Sequence, residues 1–119
     1  MRVLFDTNIL IDHSIGIAAA KDVLRLYDDS AISIVTRIEF LAGAQPGMER
    51  LALRLLERFH LVQLDEQIAD EAARVRRDMR LKFADAIVLA SARVTGRTLL
   101  TRDAKDFHGD ALAQVPYRL

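Results

Sequence analysis

Short, largely apolar runs separated by helix-length stretches constrain this chain more than any other feature. Arg2–Phe5 ("RVLF"), Ala31–Val35 ("AISIV"), Leu61–Leu64 ("LVQL") and Thr98–Thr101 ("TLLT") read as strands, with a weaker piece near Val115. Runs with so little polar alternation suit strands buried on both faces. Between them, Met48, Leu51, Ala52, Leu55, Leu56 and Phe59 recur at three- and four-residue steps, as do Ile68, Ala72, Val75 and Met79. Each set makes one apolar helix stripe. The segment "DAIVLASARVTG" is apolar nearly all round and stops at Gly96, which predicts a helix central to the core with a glycine terminator. Strands alternating with helices predict an α/β fold with a mainly parallel sheet and helices on both faces. With 119 residues and 51% hydrophobic content, residues 1–119 are expected to form one domain with a real core.

In open parallel sheets, ligands bind beyond the carboxyl ends of the strands. Asp6 ends the first strand in "RVLFDTNILID", and Asp103 follows the fourth in "TLLTRD". Glu39, in "SIVTRIEF", is expected in the first turn of the helix after the second strand, and Asp85, in "FADAIVLA", at the start of the central helix. Each acid also has a reading that needs no ligand. Thr36 and Glu39 match the spacing of a capping box, and Asp6, Asp85 and Asp103 sit where N-cap or first-turn acids complement a helix dipole. Taken together, four acids on one sheet edge repel one another unless a cation neutralises them, and hard divalent ions such as Mg²⁺ select oxygen ligands. That is the pattern of a metal-assisted phosphodiester site. Thr7 and Asn8 either orient Asp6 or form the local turn. Asp12, Asp65 and Asp106 have less claim: Asp65 reads as the N-cap of its own helix and Asp106 as a surface acid.

The chain has no cysteine, so disulfides and thiolate chemistry are excluded and zinc is left with histidine and carboxylate alone. His13, His60 and His108 stand far apart in the sequence and form no i, i+4 pair. Metal-free attack by a ribose 2′-hydroxyl therefore has no evident acid and base. Hydrolysis by metal-activated water needs neither, and leaves 5′-phosphate and 3′-hydroxyl ends. Seventeen basic and seventeen acidic side chains cancel, so a polyanion must be met by a local patch. "RVRRDMRLK" supplies Arg74, Arg76, Arg77, Arg80 and Lys82 just ahead of Asp85, either to contact a phosphate backbone or as a solvated helix face. Arg37 and Arg102, each beside a candidate ligand, suit phosphate or partner contacts. No apolar stretch approaches the roughly 18 residues that span a bilayer, and the signal-peptide series is missing from the N-terminus, so a cytoplasmic protein is expected.

Four segments in order, "FDTNILID", "SIVTRIEFLAGA", "FADAIVLASA" and "LLTRDAKDF", with "LVQLDEQIADEAA" before the third, resemble the PIN-domain ribonucleases. In particular they resemble the VapC-type toxins of bacterial toxin–antitoxin pairs, over essentially the whole chain. The resemblance implies a three-layer α/β/α sandwich whose acidic pocket holds Mg²⁺ or Mn²⁺, with Asp6, Glu39, Asp85 and Asp103 as its acids and Asp6 and Asp85 the most direct ligands. It further implies an endoribonuclease acting on transfer or ribosomal RNA, a homodimer, and a cognate antitoxin whose C-terminal segment covers the pocket. Leu53, off the main stripe of its helix, suits an apolar partner surface. Two departures stand out: Phe83-Ala84 replaces a proline common before the third acid, and the family's fourth acid alternates with asparagine. A haloacid-dehalogenase-like phosphatase also begins with a strand ending in Asp, but its chemistry wants a second Asp where this chain has Asn8. A non-catalytic PIN-like binding module would require a broken acidic set, and all four acids are present.

Overall fold

The computed structural model describes residues 1–119. Its elements run β1 (Arg2–Phe5), α1 (Thr7–Ser14), α2 (Ala18–Leu26), β2 (Asp29–Ser33), α3 (Ile34–Ala42), α4 (Glu49–Leu56), β3 (His60–Val62), α5 (Glu66–Met79), α6 (Phe83–Thr95), β4 (Thr98–Leu100), a 3-10 turn (Ala104–Phe107) and β5 (Ala113–Gln114). Every strand pair is parallel, in the order β3-β2-β1-β4-β5. The chain winds outward from β1 through β2 to β3, then returns to the other side of β1 for β4. That reversal opens a crevice at the carboxyl end of β1, the usual place for a ligand in such sheets.

Side chains of successive strand residues point to opposite faces, and this builds the three layers. Val3, Phe5, Ile32 and Leu100 pack with Ile9 and Leu10 of α1, Leu24 of α2, Phe40 of α3 and Leu56 of α4. Leu4, Ala31, Val62 and Leu99 face the other way, onto Ile68, Ala72 and Val75 of α5 and the buried run Ala86–Ala90 of α6. As its composition predicts, α6 is buried without a break from Ala86 to Ala92, and it ends on Gly96 at φ 66°. No helix is long and apolar enough to cross a membrane.

The boundary between β2 and α3 differs from the expected one. The strand stops at Ser33, whose hydroxyl accepts the Val35 amide at 3.1 Å and so caps the helix, which places Val35 in α3. Thr36 is therefore a fully buried residue inside the first turn, Glu39 lies in the second turn, and the Thr36–Glu39 capping box does not form. The stripe beginning at Met48 also departs from expectation. Ala52, Leu56 and Phe59 are buried, whereas Met48 and Leu51 are about half exposed (48% and 55%).

Candidate active site

The backbone at the end of β1 hands Asp6 directly to the crevice. The Asp6 amide continues the sheet by donating to the Leu100 carbonyl of β4 at 2.9 Å, and the residue then caps α1. Its Oδ1 accepts the Thr7 amide at 2.9 Å and its Oδ2 accepts the Thr101 hydroxyl at 2.8 Å. Thr101 is fully buried, and its hydroxyl is saturated: it gives its one proton to Asp6 and accepts from Asn8 Nδ2 and the Asp103 amide, each at 3.1 Å. Asn8 Nδ2 also reaches Asp103 Oδ2 at 3.3 Å, while Asn8 Oδ1 accepts the Arg102 amide at 3.2 Å. Thr7 donates to Glu39 Oε1 at 2.6 Å. Its oxygen lies 3.0 Å from that of Thr36; having one proton, already used on Glu39, Thr7 accepts from Thr36. Neutral donors thus orient Asp6, Glu39 and Asp103, and none of these three is paired with a cation.

The four acids feel one another's charge. Burial pushes the Asp6 carboxyl up to about 6; the Thr101 and Thr7 hydrogen bonds oppose this, and the negative charges of Asp85 and Glu39 add to it. Asp85, in the first turn of α6, is raised by burial, then by Asp106, Glu39 and Asp103, with Lys82 pulling the other way. Asp106, exposed on the 3-10 turn as expected of a surface acid, is still near enough for its charge to raise Asp85. Asp65 does cap α5, accepting the Ile68 amide at 2.8 Å.

The parts played by Thr101 and Thr36 leave little mark in the sequence. A hydroxyl residue between a strand end and an acid, as in "LLTRD", is the only local sign of the first. Thr36 matched a capping pattern, but its hydroxyl serves a partner 29 residues away. Neither the Thr7 nor the Asn8 side chain hydrogen-bonds to Asp6: the Thr7 hydroxyl holds Glu39 while its amide takes the Asp6 cap, and Asn8 holds the Thr101–Asp103 segment.

The basic stretch divides in three. Arg74 pairs with Glu71 and Arg77 with Asp78, so both belong to the solvated face of α5. Arg76 donates to the Leu81 carbonyl at 3.1 Å and lies over the Phe83 ring. Arg80 and Lys82 are exposed and unpaired, and Lys82 is close enough to Asp85 to act on it. Arg102 is not free for phosphate, because its guanidinium is spent on Asp12. Arg37 forms no ion pair.

An apolar groove of about 530 Å³ adjoins the pocket. Ile11, Ile15, Phe40, Met48 and Leu51 line it, and Glu39 stands on its wall. Leu53 is not among its lining residues.

The donors fit a hard divalent cation. They are all carboxylate oxygens, each with lone pairs left over after its hydrogen bonds, in surroundings that penalise the uncompensated charge of Asp6 and Asp85. No three of them close into a cage as arranged. Mg²⁺ suits such an open set, since it keeps several waters and takes one or two carboxylates rather than a full protein shell.

Residues 3–109 match the family model described as PIN domain. Ribonuclease VapC10 from Mycobacterium tuberculosis is 33% identical over 113 residues, covering 88% of this chain and 85% of that protein. Among solved structures, a toxin–antitoxin complex from Klebsiella pneumoniae contains a chain that superposes with a TM-score of 0.90 at 36% identity, covering 98% of this chain and 99% of that one. VapBC2 from Rickettsia felis, bound to a promoter DNA fragment, shares the fold at a TM-score of 0.81 and 18% identity, covering 97% of each chain.

Proposed function

The chain belongs to the PIN-domain family, among the VapC-type ribonucleases, and on that footing we propose that it is a divalent-metal-dependent endoribonuclease centred on Asp6, Glu39, Asp85 and Asp103. One observation carries the reading. Asp6, Glu39, Asp85 and Asp103, from four separate segments, lie close enough for their charges to act on one another, none is ion-paired with a basic side chain, and neutral donors hold Asp6, Glu39 and Asp103. Asp6 also caps α1, but the crowding of like charges works against the fold and is what a cation site uses.

A bound Mg²⁺ or Mn²⁺ would neutralise the pocket and activate water against a phosphodiester. Asp6 and Asp85, at the centre of the electrostatic coupling, are the direct ligands, with Glu39 and Asp103 completing the pocket from α3 and the turn after β4. Thr101 and Thr7 keep the Asp6 and Glu39 oxygens facing the crevice instead of letting them swing into solvent. Lys82 and Arg80, at the entrance to α6, meet the RNA backbone, and they do so without a strongly basic overall charge. The substrate is a single-stranded loop of transfer or ribosomal RNA, whose splayed bases leave the scissile phosphate accessible. Asn8 bonds on both sides of its amide and leaves no second carboxylate of the kind a phosphatase of the haloacid-dehalogenase type would use.

Under this reading the protein is the toxin of a toxin–antitoxin pair and works as a homodimer. Its antitoxin lays an apolar segment into the groove beside Glu39, where Ile15 and Leu51 are left exposed. The test is RNA cleavage by purified protein, followed by mapping of the new ends. EDTA should abolish cleavage without unfolding the protein, Mg²⁺ or Mn²⁺ should restore it, and the products should carry 5′-phosphates. Cleavage that persists in EDTA would overturn the metal-dependent mechanism.

A further inference from the structure

Asp12 is a buried carboxylate with no part in the chemistry above. It lies on α1 at 2% exposure, where an unpaired charge costs several kcal/mol. Two distant residues satisfy it. Arg102 Nη2 donates to Asp12 Oδ1 at 3.2 Å, with Nε 2.5 Å from Oδ2, and the Tyr117 hydroxyl donates to Oδ2 at 2.7 Å. Burial and the adjoining carboxylate raise the Tyr117 phenol well above its ordinary value, so it remains a donor.

The arrangement reaches the acidic pocket through one residue. Asn8 and Asp12 are four apart and share a face of α1. Asn8 holds the Arg102 amide and Asp12 holds its guanidinium, so α1 grips Arg102 at both ends. On one side of Arg102 is Thr101, which donates to Asp6; on the other is Asp103. The same short segment is tied to β5 by the Thr101 amide, which donates to the Gln114 carbonyl at 3.0 Å.

We propose that Asp12, Arg102 and Tyr117 form a clamp that positions the Thr101–Asp103 segment, and through it the Asp6 and Asp103 oxygens, for divalent-cation binding. The proposal rests on the cation site argued above. The three are positioning residues: a buried acid, a cation and a phenol that hold the ligands without joining them. Outer-shell partners of this kind change metal affinity while every ligand stays in place.

The experiment is titration of Mn²⁺ into the full-length protein by calorimetry, with melting temperature recorded on the metal-free samples. Tyr117→Phe keeps the ring and removes only the donor. It should weaken Mn²⁺ affinity by about 3- to 10-fold, the range of one net hydrogen bond. Arg102→Lys keeps the charge but loses the planar fork, and should weaken affinity by about tenfold or more. Tyr27→Phe is the control: Tyr27 packs on the same side of the sheet against Phe5, and its affinity should match wild type. Wild-type affinity in both clamp variants, whether or not their melting temperatures fall, would overturn the proposal and leave the cluster a structural tie. If wild type itself binds no Mn²⁺, the cation site is wrong and the clamp has nothing to position; the two failures are therefore distinguishable.

Discussion

The two ends of the sheet treat charge in opposite ways. At the amino end, Arg97 is buried at 4% exposure, yet its Nη1 donates to the Val3 and Asp29 carbonyls, each at 3.1 Å, and lies 2.8 Å from Asp29 Oδ1. Arg2 adds a second contact to Asp29 at 3.2 Å. Positive charge meets negative, and the Asp29 carboxyl is held below its usual value, chiefly by the Arg97 hydrogen bond. At the carboxyl end, Asp6, Glu39, Asp85 and Asp103 make no ion pair; Lys82 and Arg102 are near, but Arg102 is spent on Asp12, and the Asp6 and Asp85 carboxyls rise instead of falling. One end is built for the stability of the bare chain. The other leaves negative charge uncompensated, which the proposed cation would neutralise.

The comparison breaks most visibly if an acid from the functional end proves dispensable. Asp6→Asn keeps the shape and the capping ability of the residue and removes a ligand charge. RNA cleavage should fall by about a hundredfold or more, consistent with the several kcal/mol a metal ion contributes, while the metal-free protein melts no lower than wild type. Asp29→Asn, at the other end, should do the reverse and lower the melting temperature with cleavage rate unchanged. Cleavage assays and melting curves on the two variants would expose any exchange of these roles.

Arg97→Ala tests the amino end on stability. It strips two carbonyls and a carboxylate of their shared donor and should cost about 2–3 kcal/mol in denaturant unfolding, with Mn²⁺ affinity intact. A loss of metal binding in this variant would show that the two ends are not independent.

A third prediction concerns pH. Burial lifts the Asp6 carboxyl to about 6, above its ordinary 3.8, so folding favours the protonated form. Its stabilising contribution is fully present below about pH 4 and is lost as pH rises through about 6. Metal-free wild type should therefore lose melting temperature between about pH 4 and pH 7 relative to Asp6→Asn, and Mn²⁺ should cancel the difference at the upper end. Parallel curves for the two proteins would contradict the assignment.

The smallest expected effect is that of Thr36→Ala. With Ser33 as the cap, Thr36 acts only through Thr7 on Glu39, so its loss should cost about 1 kcal/mol and weaken Mn²⁺ binding by a few-fold. Ser33→Ala should lower stability by a similar amount and leave Mn²⁺ affinity alone, because the cap faces the α3 backbone.

Much of this was legible along the chain, because it depends on periodic patterns and on position relative to strand ends. The apolar run of α6, its glycine terminator and the placement of Asp6 and Asp103 after β1 and β4 are all local signals. What the sequence hid depends on contacts between distant residues. "SIVT" offers two hydroxyl residues that could begin a helix, and the wrong one matched a capping box, because nothing local shows that Thr36 is buried against Thr7. Asp12 looked like one more acid of α1, since Arg102 and Tyr117 lie 90 and 105 residues further on. The charge of Asp106 reaches Asp85 only because the 3-10 turn brings it back. Met48 and Leu51 fit a buried stripe by spacing, but only the other side of α4 reaches the core, and they face the groove beside Glu39.

The central claim is that the carboxyl-end acids bind a divalent cation, and thermal melting with and without Mn²⁺ tests it most directly in wild type, Asp85→Asn and Asp65→Asn. An ion that binds only the folded state raises its melting temperature through mass action. The upward shift should appear in wild type, persist in Asp65→Asn, where only a helix cap is altered, and largely disappear in Asp85→Asn. No shift in wild type, or a shift that survives in Asp85→Asn and vanishes in Asp65→Asn, would contradict the account.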